Sequence, residues 1–299
     1  MIRPRILVST LAAGAVLVAL VSAILAEGAL HIPKPQRVAP AANLAESIAQ
    51  ATNATWREVQ IAASDQTILR AWIFLPRRAN GGGVVLLHGV ADSRAGVLSQ
   101  AEFLLQCGYT VLTPDSRGHG ASGGETITYG LLEREDLHHW LGLLTAQSGI
   151  QRVYALGVSM GAGVLLQALP GEPRLRAVVA DCPFATFPGI ARDRIHQASG
   201  LPPPLAAPFA EVGLCYARLR YGLDLHNASP AAALSGVRTP ILLIHGDRDR
   251  NIPPRHSRQL HAANPATEIW IVPGADHAAS LLTVPQQYRN RVITWFASH

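Results

Sequence analysis

The stretch "YALGVSMGAGVLL", residues 154–166, predicts a buried strand that turns sharply into a helix. Its centre, "GVSMG", has the G-x-S-x-G spacing that holds a nucleophilic serine, here Ser159, on a strained turn between the two elements. Glycine suits Gly157 and Gly161 because side chains there would collide with the neighbouring strand and helix. The amino end of the following helix would also stabilise negative charge near the serine.

A second match to this spacing, "GASGG" at residues 120–124, surrounds Ser122. It lies in a glycine-crowded loop after a strand, and no apolar helical pattern begins until about Gly130. A nucleophile turn needs a strand before the serine and a helix directly after it. We therefore interpret Ser122 as a loop residue and Ser159 as the candidate nucleophile.

Strand-like runs and helical stretches alternate along most of the chain. The runs are "WREVQIAA", "ILRAWIFLP", "VVLLH", "YTVLTPD", "VYALGV", "RAVVAD", "PILLIHG" and "EIWIVPG". Helical stretches at about 94–107, 130–147 and 160–169 separate the middle runs. Apolar runs without in-and-out alternation are typical of parallel strands with helices on both faces. The pattern predicts an α/β fold with a mostly parallel sheet of eight strands, and a last helix that packs Val292, Trp295 and Phe296 onto it.

The connection between "VVAD" and "PILLIHG" is about sixty residues long, far longer than an ordinary loop. It contains "GLPPPLAAPFAEVGLCYARLRYGLDLHNASP", which predicts helical pieces interrupted by prolines. We expect a cap inserted after the sixth strand, at about residues 184–232, over the carboxyl edge of the sheet. Surface decoration is the alternative.

Side chains that could activate the serine follow two later strands. Asp247 and Asp249 come directly after "PILLIHG", and His277 follows the last strand-like run. A serine needs a base to take its proton and an acid to orient that base. Because these loops share the carboxyl edge of the sheet with the serine, we expect His277 to be the base and Asp249 the acid. Asp247 is the near competitor, and Asp181 is a more distant one.

Two backbone N–H groups are expected to stabilise the oxyanion that forms during acyl transfer. One belongs to Met160, directly after the serine, and the other to Val90, in the loop "LLHGVADSR" after the third strand. Because this donor is backbone, the side chain at position 90 carries no information. His88 ends a buried strand, which favours a structural hydrogen-bonding role over a role as base.

The amino terminus contains an uncharged apolar run, "ILVSTLAAGAVLVALVSAILA", at residues 6–26. Its 21 residues are long enough to span the hydrocarbon of a bilayer. Arg3 and Arg5 precede it, which favours a cytoplasmic amino terminus and an extracytoplasmic remainder. We predict an uncleaved membrane anchor over residues 1–27. The alternative is a signal peptide cleaved after "VSA" or "ILA", which would leave a secreted or periplasmic protein.

The rest of the chain divides into a linker and a catalytic domain. Residues 28–55, with three prolines and one short helix around "ANLAESIAQA", are expected to form a juxtamembrane linker. Residues 56–299 are expected to form one catalytic domain that includes the cap.

The composition argues against several kinds of protein. The formal charge of +5 comes from scattered arginines without a basic run, so nucleic-acid binding has little support. Three cysteines without C-x-x-C spacing argue against a zinc site and against a complete disulfide framework. A bridge between Cys182 and Cys215 stays open, although we favour buried free thiols. We expect neither a metal nor a cofactor.

Five motifs occur in the order seen in the α/β-hydrolase superfamily: "HGVADSR", "DSRGHGASGG", "GVSMG", "HGDRDRNIP" and "GADH". Over about residues 56–299 the chain resembles that superfamily, in particular its membrane-anchored bacterial members and its serine aminopeptidase and monoglyceride lipase branches. The resemblance implies Ser159 as nucleophile, Asp249 rather than Asp247 as acid, and His277 as base. A serine at the turn also distinguishes the chain from the dehalogenase and epoxide hydrolase branches, which use aspartate, and from dienelactone hydrolases, which use cysteine.

These expectations lead to one main function and two alternatives. The main hypothesis is a serine hydrolase that cleaves carboxylic esters, including lipid-derived ones, through an acyl-enzyme. A serine peptidase, aminopeptidase or thioesterase would use the same machinery. The other alternative is a non-catalytic, membrane-tethered binding module. The expected partners are a small ester or lipid-like substrate and the membrane, while the oligomeric state is left open.

Overall fold

Eight strands form one sheet in the order β1-β2-β4-β3-β5-β6-β7-β8. The computed structural model of the protein describes residues 4–31 and 41–299. The strands are β1 (Ala54–Ala62), β2 (Ile68–Pro76), β3 (Gly82–Leu87), β4 (Thr110–Pro114), β5 (Arg152–Val158), β6 (Leu175–Asp181), β7 (Ile241–Gly246) and β8 (Glu268–Val272). β2 pairs antiparallel with β1 and β4, and every other pairing is parallel. The predicted mostly parallel, eight-stranded sheet is confirmed.

Helices cover both faces of this sheet, which explains why its central strands are apolar on both sides. On one face, Val84 and Leu86 of β3 belong to a core with α3 (Leu98–Gln106) and α11 (Pro285–Ser298). On the other face, the intervening residues of β3 pack with α4 and α5. The bounds of those two helices are Glu133–Thr145 and Met160–Ala168. All nine residues of α5 are buried.

The last helix packs as its sequence predicted. Val292 and Phe296 of α11 are fully buried. The indole N–H of Trp295, which is partly buried, donates to the carbonyl of Val178 on β6 at 3.1 Å. Two further helices, α9 (Arg255–Ala263) and α10 (Ser280–Thr283), flank the strand β8 in the chain.

The long connection between β6 and β7 folds into helices. They are α6 (Phe187–Ser199), α7 (Pro203–Tyr221) and the short α8 (Pro230–Ala233). A separate hydrophobic cluster joins this insertion to the rest of the protein, through Leu30, Phe184, Phe187, Leu214, Leu225 and Ile252. These helices are the cap insertion expected after the sixth strand.

Helix α1 (Pro4–Leu30) is 27 residues long. The part from Ala12 to Leu30 has a mean hydropathy of 2.1 and is long and apolar enough to cross a membrane, although a signal sequence has the same properties. The carboxyl end of α1 packs against α7, and Leu30 is fully buried. Most of the remaining described side chains of α1 are exposed.

The segment 28–55, expected to be a linker, is divided in the structure. Its first residues continue α1 to Leu30, whose side chain is buried in the cap cluster. Residues 32–40, with the three prolines of the expected linker, lie outside the described residues. Helix α2 (Ala42–Thr52) then buries Ala45 in the core beside α3. The end of this segment is therefore packed into the folded domain.

All three cysteines are free thiols. Cys182 is buried, whereas Cys107 and Cys215 are exposed, so the expectation of buried thiols is correct for Cys182 alone. The bridge between Cys182 and Cys215 that the sequence left open does not form.

Candidate active site

Ser159 lies on the turn between β5 and α5, at the carboxyl edge of the parallel strands. Its φ of 55° and ψ of −114° are backbone angles that L-residues rarely adopt. The backbone N–H of Ser159 donates to the carbonyl of Asp181 on β6 at 2.8 Å. The turn is therefore both strained and fixed to the sheet, as expected of a nucleophile turn.

The two glycines of the "GVSMG" motif are required by close backbone approaches. A Cβ on Gly157 would lie 2.4 Å from the carbonyl oxygen of Gly161. A Cβ on Gly161 would lie 2.5 Å from the carbonyl oxygen of Leu87 on β3. Both contacts are with backbone atoms, which cannot swing aside. The steric reason inferred from the sequence is confirmed.

His277 links the three side chains that the sequence predicted for the site. Its Nε2 lies 3.0 Å from Ser159 Oγ, and its Nδ1 lies 2.7 Å from Asp249 Oδ2. If the Nδ1–H group donates a hydrogen bond to the carboxylate, Nε2 carries no proton and can accept one from the serine hydroxyl. The three residues come from the loops after β5, β8 and β7, which meet at one edge of the sheet.

Asp249 is surrounded by hydrogen-bond donors. Its Oδ1 accepts the backbone N–H groups of Asn251 and Ile252, both at 2.8 Å. Burial alone would raise the pKa of Asp249, but hydrogen bonds from His245 and His277, with charge attraction to His277, outweigh burial and lower the pKa to about 2. The carboxylate is therefore ionised at neutral pH and can orient the imidazole.

His245 supports Asp249 from the interior, and the sequence interpretation missed it. The ring is fully buried, with Nε2 2.7 Å from the Ile252 carbonyl and 3.3 Å from Asp249 Oδ2. Its Nδ1 lies 2.7 Å from the hydroxyl of Ser257. The arrangement fits an Nε2–H that donates toward the acid side and an Nδ1 that accepts from the hydroxyl. The one sequence signal was its place in "LIHGD", directly before the loop that carries the acid.

The competing carboxylates make other contacts. Asp247 is exposed, and its Oδ1 accepts a backbone N–H from the loop after β8 at 2.7 Å. Asp181 is buried, and burial raises its pKa to about 6. Among the residues that the structure describes, Asp249 is the carboxylate within hydrogen-bond distance of the ring of His277.

The loop after β3 passes close to the serine. A Cβ on Gly89 would lie 3.5 Å from the Cβ of Ser159. The next residue, Val90, lines the same cavity as Ser159 and Met160. Val90 and Met160 are the positions from which the sequence predicted two N–H donors for an oxyanion.

His88 fastens this loop to the sheet. Its Nδ1 donates to the Gly89 carbonyl at 2.7 Å, and its Nε2 accepts the backbone N–H of Ser116 at 3.0 Å. Burial lowers the pKa of His88 to about 4, although the hydrogen bond to Gly89 works in the opposite direction. The ring is therefore neutral, in agreement with the structural role predicted for it.

The second serine of the sequence braces a loop. The hydroxyl of Ser122 donates to the Asp115 carbonyl at 2.7 Å and accepts the backbone N–H of Arg70 at 2.8 Å. The side chain of Asp115 is fully buried and accepts the backbone N–H groups of Arg94 and Ala121. The interpretation of Ser122 as a loop residue is confirmed.

A cavity of about 660 Å³ opens onto Ser159. Its walls come from the loop after β3, the cap helices α6 and α7, the loop after β7 and the carboxyl end of α1. Most lining side chains are apolar, and no carboxylate is among the described residues that line it. The sequence interpretation missed the contribution of α1. Its only sequence signal was the spacing of small residues, Ser22 and Ala26 on α1 and Ala210 and Gly213 on α7.

Cys182 lies close to the acid and the base. One potential ligand atom from each of Cys182, Asp249 and His277 lies within 4.8 Å of the others, as a metal site would require. However, Asp249 and His277 already contact each other, and burial raises the pKa of the Cys182 thiol well above its ordinary value. A protonated thiol is a poor metal ligand. The three side chains therefore fit a base, His277, that is oriented by its acid, Asp249, better than they fit a metal centre.

Several known proteins are similar to the chain. The sequence profile of the alpha/beta hydrolase family matches residues 84–291. The uncharacterised protein YqkD of Bacillus subtilis is 30% identical over 213 residues, which are 70% of this chain and 69% of that protein. The monoacylglycerol lipase of Mycolicibacterium smegmatis is 28% identical over 262 residues, which cover 76% of this chain and 92% of the lipase.

Solved structures share the fold. The esterase Pf2001 of Pyrococcus furiosus has a TM-score of 0.69 and 25% identity, over 84% of this chain and 93% of the esterase. An esterase of Exiguobacterium antarcticum has a TM-score of 0.60 at 18% identity, over 80% of this chain and 99% of that enzyme. At such low identity the second likeness concerns the fold alone.

Proposed function

Because the chain belongs to the alpha/beta hydrolase family, we propose that it is a serine hydrolase that cleaves carboxylic esters with Ser159, His277 and Asp249. The observation that carries the proposal is the pair of contacts made by His277, 3.0 Å to Ser159 Oγ and 2.7 Å to Asp249 Oδ2. The relatives named as a monoacylglycerol lipase and an esterase support ester hydrolysis in general.

The reaction proceeds in two halves. The hydroxyl oxygen of Ser159 attacks the ester carbonyl carbon while His277 Nε2 takes its proton, and Asp249 stabilises the imidazolium that forms. The proton then passes to the alcohol oxygen, the alcohol departs and an acyl-enzyme remains. A water molecule attacks the acyl carbon, giving its proton to His277, and the carboxylic acid leaves as Ser159 recovers its proton.

The negative charge on the carbonyl oxygen is stabilised by fixed donors. The backbone N–H groups of Val90 and Met160 are the proposed oxyanion hole, and the amino end of α5 adds its dipole. These donors are already in position and do not need to reorganise during the reaction. Removing one such donor typically lowers the rate by a factor of about 10² to 10³.

The cavity favours esters over peptides with a free amino terminus. A site that selects a charged amino group needs a carboxylate nearby, and the described lining residues include none. Mostly apolar walls with a few polar groups suit an acyl chain on a carbonyl. A lipid-derived ester is therefore the proposed substrate.

The proposed organisation has three parts. Residues 1–27 anchor the protein as a single transmembrane helix, and residues 28–55, whose helix α2 packs on the core, lead into the catalytic domain. Residues 56–299 form that domain, with the cap at about 184–232. Since Arg3 and Arg5 precede the apolar run, the catalytic domain lies on the extracytoplasmic side.

A fluorophosphonate probe tests the nucleophile. We expect covalent labelling of the wild-type protein and of Ser122→Ala, and no labelling of Ser159→Ala. Hydrolysis of p-nitrophenyl butyrate should fall by a factor of about 10³ or more in Ser159→Ala, because the acyl-enzyme cannot form. Unlabelled wild type, or equal labelling of Ser159→Ala, would refute the proposal.

A further inference from the structure

The carboxyl end of α1 is attached to α7, and the two helices run parallel. The carboxylate of Glu27 accepts hydrogen bonds from the hydroxyls of Tyr216 and Tyr221, both at 2.6 Å. Nearer the amino end of α1, a Cβ on Gly213 would lie 3.3 Å from the backbone oxygen of Ser22. Moving toward the amino end of one helix therefore means moving toward the amino end of the other.

The same end of α1 is also bonded to the catalytic domain outside the cap. The backbone N–H of Ile127 donates to the carbonyl of Leu30 at 2.8 Å, and the hydroxyl of Tyr129 donates to the carbonyl of Ala29 at 2.7 Å. Leu30 is fully buried among cap residues. The end of the apolar helix is thus a packed part of the folded protein.

Side chains of α1 form one wall of the cavity that contains Ser159. Val21, Ser22, Leu25 and Ala26 line this cavity, which also contains the nucleophile. The hydroxyl of Ser22 is buried and has no hydrogen-bond partner among the described residues. Cleavage after residue 26 would remove this wall.

The start of α7, which lies in the chain between the cavity-lining residues Leu201 and Phe209, is uncharged. No charged residue occurs from Ser199 to Ala210, and Leu205 is 58% exposed. Pro203, the first residue of α7, precedes Gly213 by ten positions, a rise of about 15 Å. Because α1 and α7 run parallel, the first turns of α7 lie beside the apolar middle of α1. An exposed apolar surface without charges beside an apolar helix fits contact with a membrane.

We propose that the carboxyl end of α1 is a permanent wall of the substrate cavity, and that the cavity takes the acyl chain of an ester drawn from the bilayer in which α1 is anchored. This inference rests on the proposed ester hydrolysis at Ser159. The start of α7 dips into the outer leaflet beside α1, so the acyl chain reaches the cavity without crossing water. Helix α1 is therefore a specificity element as well as an anchor.

A matched pair of variants on α1 tests the wall. Leu25 lines the cavity, whereas its neighbour Ile24 is 70% exposed and does not line it. The full-length protein in detergent micelles is assayed with p-nitrophenyl acetate, butyrate, octanoate and laurate. We expect Leu25→Trp to lower kcat/KM for octanoate and laurate at least tenfold and for acetate less than twofold. Ile24→Trp should leave the whole series within twofold of wild type.

Fluorophosphonate labelling of the same samples separates the possible failures. If wild type is labelled and Leu25→Trp has the chain-length profile of Ile24→Trp, the wall is refuted while the hydrolase stands. If wild type is not labelled, the proposed hydrolysis itself fails. Should Leu25→Trp not fold, Leu25→Ala replaces it, with an expected severalfold loss of the preference for laurate over acetate. An unchanged preference in Leu25→Ala refutes the wall.

A second matched pair tests the bilayer as the source of the acyl chain. Leu205 lies at the start of α7, and Leu219, which is 82% exposed, lies near its end between Arg218 and Arg220. With 4-methylumbelliferyl palmitate in phosphatidylcholine vesicles, we expect Leu205→Asp to lower the rate at least fivefold and Leu219→Asp to leave it unchanged. Both variants should hydrolyse dissolved 4-methylumbelliferyl acetate as wild type does. Equal rates of the two variants on vesicles would overturn the proposal.

Discussion

Asp249 and Asp247 lie two residues apart on one loop, but only the side chain of Asp249 contacts His277. We expect Asp249→Asn to lower kcat by a factor of about 10³ to 10⁴, because the amide neither holds the ring in the required tautomer nor stabilises the imidazolium. Asp247→Asn should retain kcat within twofold. Steady-state hydrolysis of p-nitrophenyl butyrate measures both. A large loss in Asp247→Asn with an active Asp249→Asn would move the acid to Asp247.

The same carboxylate makes stability depend on pH in acid. The pKa of Asp249 falls from 3.8 to about 2 on folding. Because folding lowers it, the stabilisation is complete above pH 3.8 and is lost as pH falls through about 2. The shift corresponds to about 2 kcal/mol. We therefore expect the free energy of unfolding to fall between pH 4 and pH 2 by about 2 kcal/mol more in wild type than in Asp249→Asn, as measured by urea unfolding in micelles. Equal losses in the two proteins would contradict the burial and bonding described for Asp249.

The roles of single residues could be predicted only where a local pattern accompanies them. Ser159 was identified because strand, turn and helix residues surround it in a short segment. Asp249 and His277 follow strands at the same edge of the sheet, so topology indicated them. His245 and Cys182 have no such pattern, because their places beside the acid depend on how loops distant in sequence pack together.

The turn between β5 and α5 leaves no room for a side chain at Gly161, in the first turn of helix α5. We expect Gly161→Ala to lower the free energy of unfolding by about 1 to 3 kcal/mol, because its Cβ would lie 2.5 Å from the Leu87 carbonyl oxygen. Fluorophosphonate labelling of Ser159 should slow as the turn shifts. The control is Gly142→Ala in α4, where the nearest atom is an arginine side-chain nitrogen at 3.6 Å. That substitution should stabilise the protein slightly, since alanine favours a helix interior. Equal effects of the two substitutions would contradict the steric account.

The strands were predictable because each central strand is a short apolar run bounded by glycine, proline or charged residues. The antiparallel pairing of β2 with β1 and β4 was not, since it depends on connections rather than on composition. The cap was expected from the length of its segment alone. The packing of the cap on α1 could not be predicted, because the small residues that allow α1 and α7 to approach are common in any apolar helix.

The proposed anchor and the catalytic domain should stay in one chain and remain together in the membrane fraction of the cell. We expect the intact mass of the mature chain to include residues 6–26 and the protein to remain in membranes after a carbonate wash, because the helix is part of the fold. Alkaline phosphatase fused after His299 should be active in the topology proposed above, because Arg3 and Arg5 before the apolar run favour a cytoplasmic amino terminus. A soluble chain that begins at residue 24 or 27, or an inactive fusion, would contradict this topology.

The two tyrosine hydroxyls that donate to Glu27 attach α1 directly to the cap, rather than through a flexible linker. An enzyme on a flexible tether reaches a broad area of the membrane and also meets molecules in solution. If α1 is the membrane anchor proposed above, the cavity stays at a fixed distance from the membrane and meets lipids that diffuse laterally to it. Turnover then follows the mole fraction of substrate in the surface rather than its bulk concentration. Diluting the substrate with inert lipid should therefore slow the enzyme even when the total amount of substrate is unchanged.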